Sequence, residues 1–425
     1  MVKIAMLIEF KVGNYRSIRE NQTLSMVAAK DTAHQDSNCI QTAIPGLPYI
    51  IRSGVLYGAN ASGKSNLVSA LAFMKSMVAT SAVSIREGQS LNISPFRFDT
   101  KTVTEPTEFE ITIFENGVRY QYGFEVNTTR VTREWLFACV KRKPQLWFER
   151  TYDSKKDKDI WDFGTHLLGG KQRNLWSEST RGNALFLSTA VNLNSEQLRP
   201  IFNWFVNKLI IIESNAFPHP FYTMECIKNE LNKPKIIELL QAADLGITDV
   251  QVKMQKGQQV QVRLEAGTAA IENRQETEIP SATFFHQDKS KNPIGFTFEE
   301  ESHGTQKLFA YAGPILDVLK DGKILVVDEL DSSLHQRMVR FLINLIQNSD
   351  LNKNNAQLIF TTHNTSLLDT DLFRRDQIWF MEKDQENASR LYPLTDFSPR
   401  KGEALERGYL LGRYGALPFF GEFNI

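Results

Sequence analysis

Gly58-Ala59-Asn60-Ala61-Ser62-Gly63-Lys64-Ser65 fits the pattern GxxxxGK[ST] at every fixed position. The chemistry open to such a run is phosphate capture. Its glycines let backbone N–H groups converge on phosphate oxygens, and a helix that follows adds the partial positive charge of its N-terminus. Lys64 reaches the β- and γ-phosphates, and Ser65 offers a hydroxyl to Mg²⁺. A site of this kind needs a second source of carboxylate, and Ile324-Leu325-Val326-Val327-Asp328-Glu329 supplies it. Four apolar residues bury a strand, Asp328 at its carboxyl end holds magnesium through water, and Glu329 polarises an attacking water. Glu301-Ser302-His303-Gly304-Thr305-Gln306 is a polar turn ahead of a helix, where the Ser302 hydroxyl and N-terminal amides suit a phosphate. Leu330-Asp331-Ser332-Ser333-Leu334-His335 follows Glu329 directly, and His363 stands just after Leu358-Ile359-Phe360-Thr361-Thr362. The plainer readings are a helix N-cap for Ser302, a backbone-bonded loop histidine for His363 and interface packing for His335.

These residues must be carried by an α/β scaffold. Ser53 to Tyr57 reads as a short apolar strand into the glycine-rich turn, and Leu67, Leu71 and Met74 recur at helical spacing after Lys64. Helix from Thr305 to Leu319, buried strand from Lys323 to Asp328, helix from Ser333 to Asn348 and buried strand from Gln357 to Thr361 alternate, which predicts a parallel sheet. Earlier in the chain, Leu7 onward alternates like a first strand. Glu108 to Glu115, Asn116-Gly117 and Val118 to Val126 form a hairpin within an antiparallel β layer reaching about Arg150. Residues 31 to 50 read as a loop. Leu198, Ile201, Phe202, Phe205 and Leu209 form one helical apolar stripe, Lys235 to Ala243 another helix, Val250 to Leu264 a strand pair, and Gly267 to Glu278 an exposed loop. The expected division is 1–150, with the phosphate loop and the β layer; 151–290, a mainly helical insertion with a β pair; and 291–425, with the remaining motifs and a tail.

Composition sets the bounds. The 425 residues are 42% hydrophobic with 15 Pro and 24 Gly, enough for a sizeable core and unlike disordered or collagenous chains. Lys+Arg and Asp+Glu are both 49, so a protein living mainly by neutralising phosphate backbone is disfavoured. Three scattered cysteines, Cys39, Cys139 and Cys226, rule against a disulfide framework or structural zinc. The absence of a long apolar run speaks against a membrane span, and the expected location is the cytoplasm.

The order of phosphate loop, signature turn, acidic strand with adjacent Glu, D-loop and histidine resembles the ATP-binding-cassette class of ATPases, and within it the soluble RecF/SMC/OLD-like branch. Phe10-Lys11-Val12-Gly13-Asn14-Tyr15-Arg16-Ser17-Ile18, Asn60 and Asn66 around the loop, Asp328 to His335, and Arg413-Tyr414-Gly415-Ala416-Leu417-Pro418 are similar to the AAA-type ATPases of bacterial abortive-infection and anti-phage systems, of the RloA, AbiL and PtuA types. The resemblance implies an ABC-ATPase head with a mixed or parallel P-loop sheet, an antiparallel β layer and a helical insertion. It implies ATP and Mg²⁺ as cofactors, and a homodimer or higher oligomer in which two ATP molecules are sandwiched. Gly58, Asn60, Ser62, Gly63, Lys64, Ser65 and Asn66 of one chain would then share a nucleotide with Ser302 and Gly304 of the other. Glu329 would be the general base, Ser65 and Asp328 the magnesium ligands, His363 the contact to the γ-phosphate beside Lys64, and Asp331 a link across the interface. Two departures stand out: the turn reads Ser-His-Gly-Thr, and no Q-loop glutamine lies near Phe96-Arg97-Phe98-Asp99, Gln121 being too deep in the hairpin.

No heptads occur between Ser65 and Ser302, so a long coiled coil is not expected. After His363 no acidic cluster of a Toprim nuclease appears. The expectation is an ATP-hydrolysing dimeric sensor that regulates a separate operon-encoded effector, a nuclease or toxin, in anti-phage defence. Lys155 to Asp159, Gly267 to Glu278 and Arg407 to Pro418 are candidate docking surfaces. The alternative is a RecF-like DNA-binding ATPase of repair, kept open by Lys141, Arg142 and Lys143 near Trp135 and Trp147; DNA is permitted as a partner but not required.

Overall fold

The computed structural model describes residues 5–140, 142–214, 220–229, 231–243, 245–265, 268–399 and 402–418, and between 257 and 277 only the backbone. In chain order the elements are β1 (Ala5–Gly13), β2 (Gln22–Ser25), α1 (Gln35–Asn38), β3 (Cys39–Ile44), β4 (Leu47–Ile51), β5 (Ser53–Tyr57), α2 (Lys64–Thr80), β6 (Thr107–Glu115), β7 (Val118–Val126), β8 (Val131–Cys139), β9 (Gln145–Asp153) and β10 (Lys158–Phe163). There follow α3 (Gln172–Glu178), α4 (Phe186–Asn192), α5 (Arg199–Asn203), β11 (Leu209–Ile212), α6 (Pro220–Lys228), α7 (Lys233–Ala242), β12 (Asp249–Glu265), β13 (Thr268–Gln287) and β14 (Pro293–Thr297). The last third holds α8 (His303–Asp321), β15 (Ile324–Val327), α9 (Gln336–Gln347), β16 (Gln357–Thr361), β17 (Ile378–Lys383), β18 (Ser389–Pro393) and α10 (Leu405–Leu410).

The fold is mixed α/β, as expected. Two compact units are present: Met1–Asn215 with Val318–Ser332 and Val339–Ile425, and Ala216–Asp317 with Ser333–Met338. The first contains a six-stranded sheet in the order β11-β15-β16-β5-β17-β18, parallel except for β18. Its central strands β5, β15 and β16 are buried along their whole length, the signature of a sheet covered on both faces. The same unit holds a seven-stranded antiparallel sheet, β10-β9-β8-β7-β6-β1-β2. There the period is two: Phe109, Ile111 and Ile113 of β6 are buried, and the residues between them are half-exposed. Leu67, Leu71 and Met74 of α2 enter one core cluster with the inward residues of β1 and β6 to β8 and with Ile324, Val326 and Ile359 of the parallel sheet. The helix that opens at the phosphate loop is therefore anchored by apolar burial.

Several expectations are corrected. Residues 31–50 hold the β3–β4 hairpin. The stripe from Leu198 to Leu209 is α5, one turn of π-helix over Trp204–Lys208, and then β11, because the run Leu209-Ile210-Ile211-Ile212 pairs in parallel with β15. Residues 151–163 complete β9 and β10 rather than opening an insertion, and 151–214 pack with the first unit. In the second unit the Val250 to Leu264 segment is one long strand, with Gly257 in register opposite Thr277 instead of in a turn. The segment expected as an exposed loop forms the partner strand from Thr268 onward; Gly267 lies outside the described residues.

Candidate functional site

The carboxyl ends of three parallel strands carry the predicted chemistry and an adjacent fourth adds Lys383, all at the edge where open α/β sheets place their ligands. β5 runs into the phosphate loop, β15 into Asp328 and Glu329, β16 into Thr361-Thr362-His363, and β17 ends at Lys383. Asn60, Ser62, Gly63, Lys64, Ser65 and Asn66 line one cleft of about 420 Å³ with Glu329, His363 and Lys383.

The loop is shaped by its neighbours. Gly63 has φ +112°, and a Cβ there would collide with the hydroxyls of Ser389 and Ser17. Gly58 is equally tight, since a Cβ would meet the Met381 carbonyl and the Ser62 side chain. The Ser389 hydroxyl donates to the Ser62 carbonyl (2.7 Å) and pairs with the Ser17 hydroxyl (2.7 Å), whose oxygen accepts Asn66 Nδ2–H (2.7 Å). Residues near both ends of the chain thus clamp the loop. Lys64 is buried, and its ammonium donates to the carbonyls of Gly58 (2.7 Å) and Ala59 (3.1 Å). Burial pushes that ammonium down to about 8, against the pull of Asp328, Glu329 and Asp331. Ser65 is exposed at the first turn of α2, and the buried Ser62 hydroxyl has no hydrogen-bond partner among the described residues.

On the acidic side, Asp328 is buried and Oδ1 accepts the Thr361 hydroxyl at 2.6 Å. The same hydroxyl oxygen accepts the Glu329 backbone N–H at 2.7 Å. Glu329 is held at φ +53°, in the left-handed region where a non-glycine residue is costly and often functional. Asp331 Oδ2 accepts the His363 backbone N–H (3.3 Å), and its buried Oδ1 has no partner among the described residues. Desolvation, and after it the Lys64 ammonium, lowers the His363 imidazole below its usual range, opposed by Asp331, Glu329 and Asp328. A neutral imidazole near pH 7 can accept as well as donate a hydrogen bond.

The groups fit a magnesium–triphosphate. The loop leaves room for an anion but not for a Cβ at Gly58 or Gly63, a lysine ammonium and an unpartnered serine hydroxyl are present, and one carboxylate oxygen of Asp328 is already oriented. Among the described residues no three His, Cys, Asp or Glu side chains form a metal cage, so a divalent ion would be held by Ser65, Asp328, phosphate and water, the usual habit of Mg²⁺.

Ser302 and Gly304 belong to the second unit. The Ser302 hydroxyl accepts the Thr305 N–H (3.1 Å) and pairs with Thr305 Oγ1 (2.8 Å), so it caps α8 while remaining exposed, and Gly304 sits in the helix's first turn. His335 is exposed, its Nδ1 accepting the Arg337 N–H. The basic segment falls in the β8–β9 turn, where Lys141 is outside the described residues, and Trp135 and Trp147 are buried, which removes them as stacking platforms. At the tail, Tyr414 and Tyr409 stack on Phe380, and Glu382 accepts the Ala416 N–H (2.9 Å).

Sequence reasoning passed over Thr361, Ser17, Ser389 and Lys383. Thr361 and Ser17 lay inside segments already singled out, whereas nothing in the local sequence ties residue 389 to the loop. Among the described residues no helix is long and apolar enough to cross a membrane.

A comparison with solved structures gives the SMC head domain from Thermotoga maritima at 12% identity and TM-score 0.41, covering 91% of this chain and 98% of that one. It also gives an SMC head bound to the C-winged helix domain of ScpA, at 12% identity and TM-score 0.40, covering 91% and 97%. The curated proteins contain no match. The family model described as "AAA domain, putative AbiEii toxin, Type IV TA system" matches residues 55–369, from the strand before the phosphate loop to beyond His363. With most of its length inside that match, together with the phosphate loop, Asp328, Glu329 and His363, the chain belongs to this family of AAA domains.

Proposed function

We propose that the chain binds and hydrolyses ATP as a homodimer and uses that cycle to regulate a separate effector, a nuclease or toxin, in defence against phage. The observation that carries the hydrolytic reading is the convergence in one cleft of the buried Lys64 ammonium, at the start of α2, with Glu329 and His363, which follow the ends of β15 and β16. Lys64 supplies the charge that draws the terminal phosphates, and the glycine-bounded loop supplies their backbone donors. The Thr361 hydroxyl fixes Asp328 and the Glu329 backbone, so that the Glu329 carboxylate is the base that takes a proton from the attacking water. His363, tied to Asp331 through its backbone, orients the same water or the terminal phosphate. Bound Mg²⁺ would neutralise charge on the departing phosphates.

Ser302 and Gly304, at an exposed helix start, would reach the nucleotide of the partner copy. The toxin–antitoxin wording of the family description supports a place in a defence module. Glu329→Gln should bind ATP, accumulate as a dimer in light scattering and lose roughly 10²–10⁴-fold in turnover, whereas Lys64→Ala should not bind. Normal turnover in Glu329→Gln would remove that residue as the base. Mixing Lys64→Ala with Ser302→Arg chains should restore activity through one intact composite site; no recovery would count against a shared nucleotide.

A further inference from the structure

A second cavity, of about 280 Å³, lies in the first unit on the polar face of the antiparallel sheet. Its floor is one cross-strand row in register: Glu9 opposite Thr112, Thr112 opposite Gln121, and Gln121 opposite Phe137. Val27 and Leu47 also line it, and Arg119 lies two residues along β7 from Gln121, on the side away from Glu110. We propose that this cavity binds a short peptide with free termini, a di- or tripeptide with apolar side chains.

Charge placement argues for a zwitterion. Glu9 Oε1 accepts the Ser25 hydroxyl (3.1 Å) and Glu110 Oε2 accepts the Trp135 indole N–H (3.0 Å), so each carboxylate is oriented through one oxygen and keeps the other for a ligand. Glu9 lies opposite Thr112, and Glu110 is two residues along the same strand, which makes the two carboxylates diagonal neighbours able to share one ammonium. The Arg119 guanidinium has no carboxylate partner among the described residues, although both glutamates line the same cavity. Glu110 pairs with Gly123 on β7, four residues from Arg119, a separation of about 13 Å along the strand. A single amino acid carries both charges on one carbon and cannot meet both ends, whereas a di- or tripeptide can. Thr112 and Gln121 lie between the ends and suit an amide, and Val27, Leu47 and Phe137 suit apolar side chains. A polyamine would leave Arg119 unanswered, and a nucleotide would bring phosphate against two carboxylates.

The test is calorimetric titration of the full chain, without nucleotide, with leucyl-leucine, its N-acetyl form, its C-terminal amide and free leucine. The unmodified dipeptide should bind, and either cap should weaken it roughly tenfold or more, the worth of a charged hydrogen bond. Arg119→Gln should abolish the discrimination against the amide while keeping that against the acetyl form. Glu110→Gln, which retains an acceptor for Trp135, should do the reverse, with Glu9→Gln as an independent second variant. Thermal melts establish that each variant is folded. No binding of leucyl-leucine to the wild-type chain, equal binding of the capped forms, or equal binding of free leucine would overturn the proposal.

Discussion

Replacing Thr361 by Val isolates one oxygen atom that serves both acidic residues. The side chain is fully buried and valine has its shape, so no cavity is opened and only the hydroxyl is lost. That hydroxyl donates at 2.6 Å to the buried Asp328 carboxylate and accepts the Glu329 N–H at 2.7 Å. A hydrogen bond to a charged group contributes about 1.5–3 kcal/mol, and leaving a half-buried N–H unpaired costs about 1 kcal/mol or more. The expected destabilisation is therefore about 3 kcal/mol. All six tryptophans, at 135, 147, 161, 176, 204 and 379, lie in the first unit, so intrinsic fluorescence during urea unfolding reports on that unit. Turnover should fall as well, roughly tenfold for each 1.4 kcal/mol by which the Glu329 backbone loses its left-handed placement. Thr361→Ser, which keeps the hydroxyl, should recover most of both effects. Equal urea midpoints and equal turnover in the Val and Ser variants would refute the assignment of that hydroxyl as the element positioning Asp328 and Glu329.

Lys64 sits at about 8 when folded, against 10.5 for an ordinary lysine, so between these values the unfolded chain binds a proton that the folded chain lacks. Its burial cost is present in full below about pH 8, and stability should rise with pH across that window. Triphosphate restores the ammonium, so ATP binding at pH 8.5 should take up a proton, visible as a dependence of binding enthalpy on buffer ionisation; no such dependence would contradict the placement of Lys64 against the phosphates. Gly63→Ala forces a Cβ onto Ser389 and Ser17 at φ +112° and should cost about 1–3 kcal/mol and abolish ATP binding. Ser389→Ala removes two hydrogen bonds at 2.7 Å to Ser17 and the loop and should weaken ATP binding several-fold while leaving the fold intact, as read by equilibrium titration and melting.

The sequence exposed the motifs far better than their supports. The phosphate loop, the acidic strand end and His363 were legible because each chemical role demands a residue type at a fixed place beside an apolar run. The strands β5 and β16 were legible for the same reason, being short, apolar at their centres and followed by polar turns. What was lost depended on contacts distant in sequence. Leu209 looked helical because the preceding apolar spacing was helical, and only the adjacent β15 makes the run from Leu209 to Ile212 a strand. The 17-residue β12 lacks the alternation break that a turn would need, yet its central glycine reads as one. Ser389 has nothing around it to announce a hydroxyl bonded to residue 17, 372 positions away.

That long-distance clamp bears on how the molecule is made. β5 lies in the sheet between β16 and β17, so the strand that leads into the loop has no neighbour to pair with until residues 357 and 378 have been synthesised. The clasp on the loop itself waits for residue 389. A ribosome-bound chain that has already emitted all eight loop residues would therefore remain unable to seize nucleotide, and competence would arrive only once Ser389 has emerged and closed over Ser62, 327 positions before it.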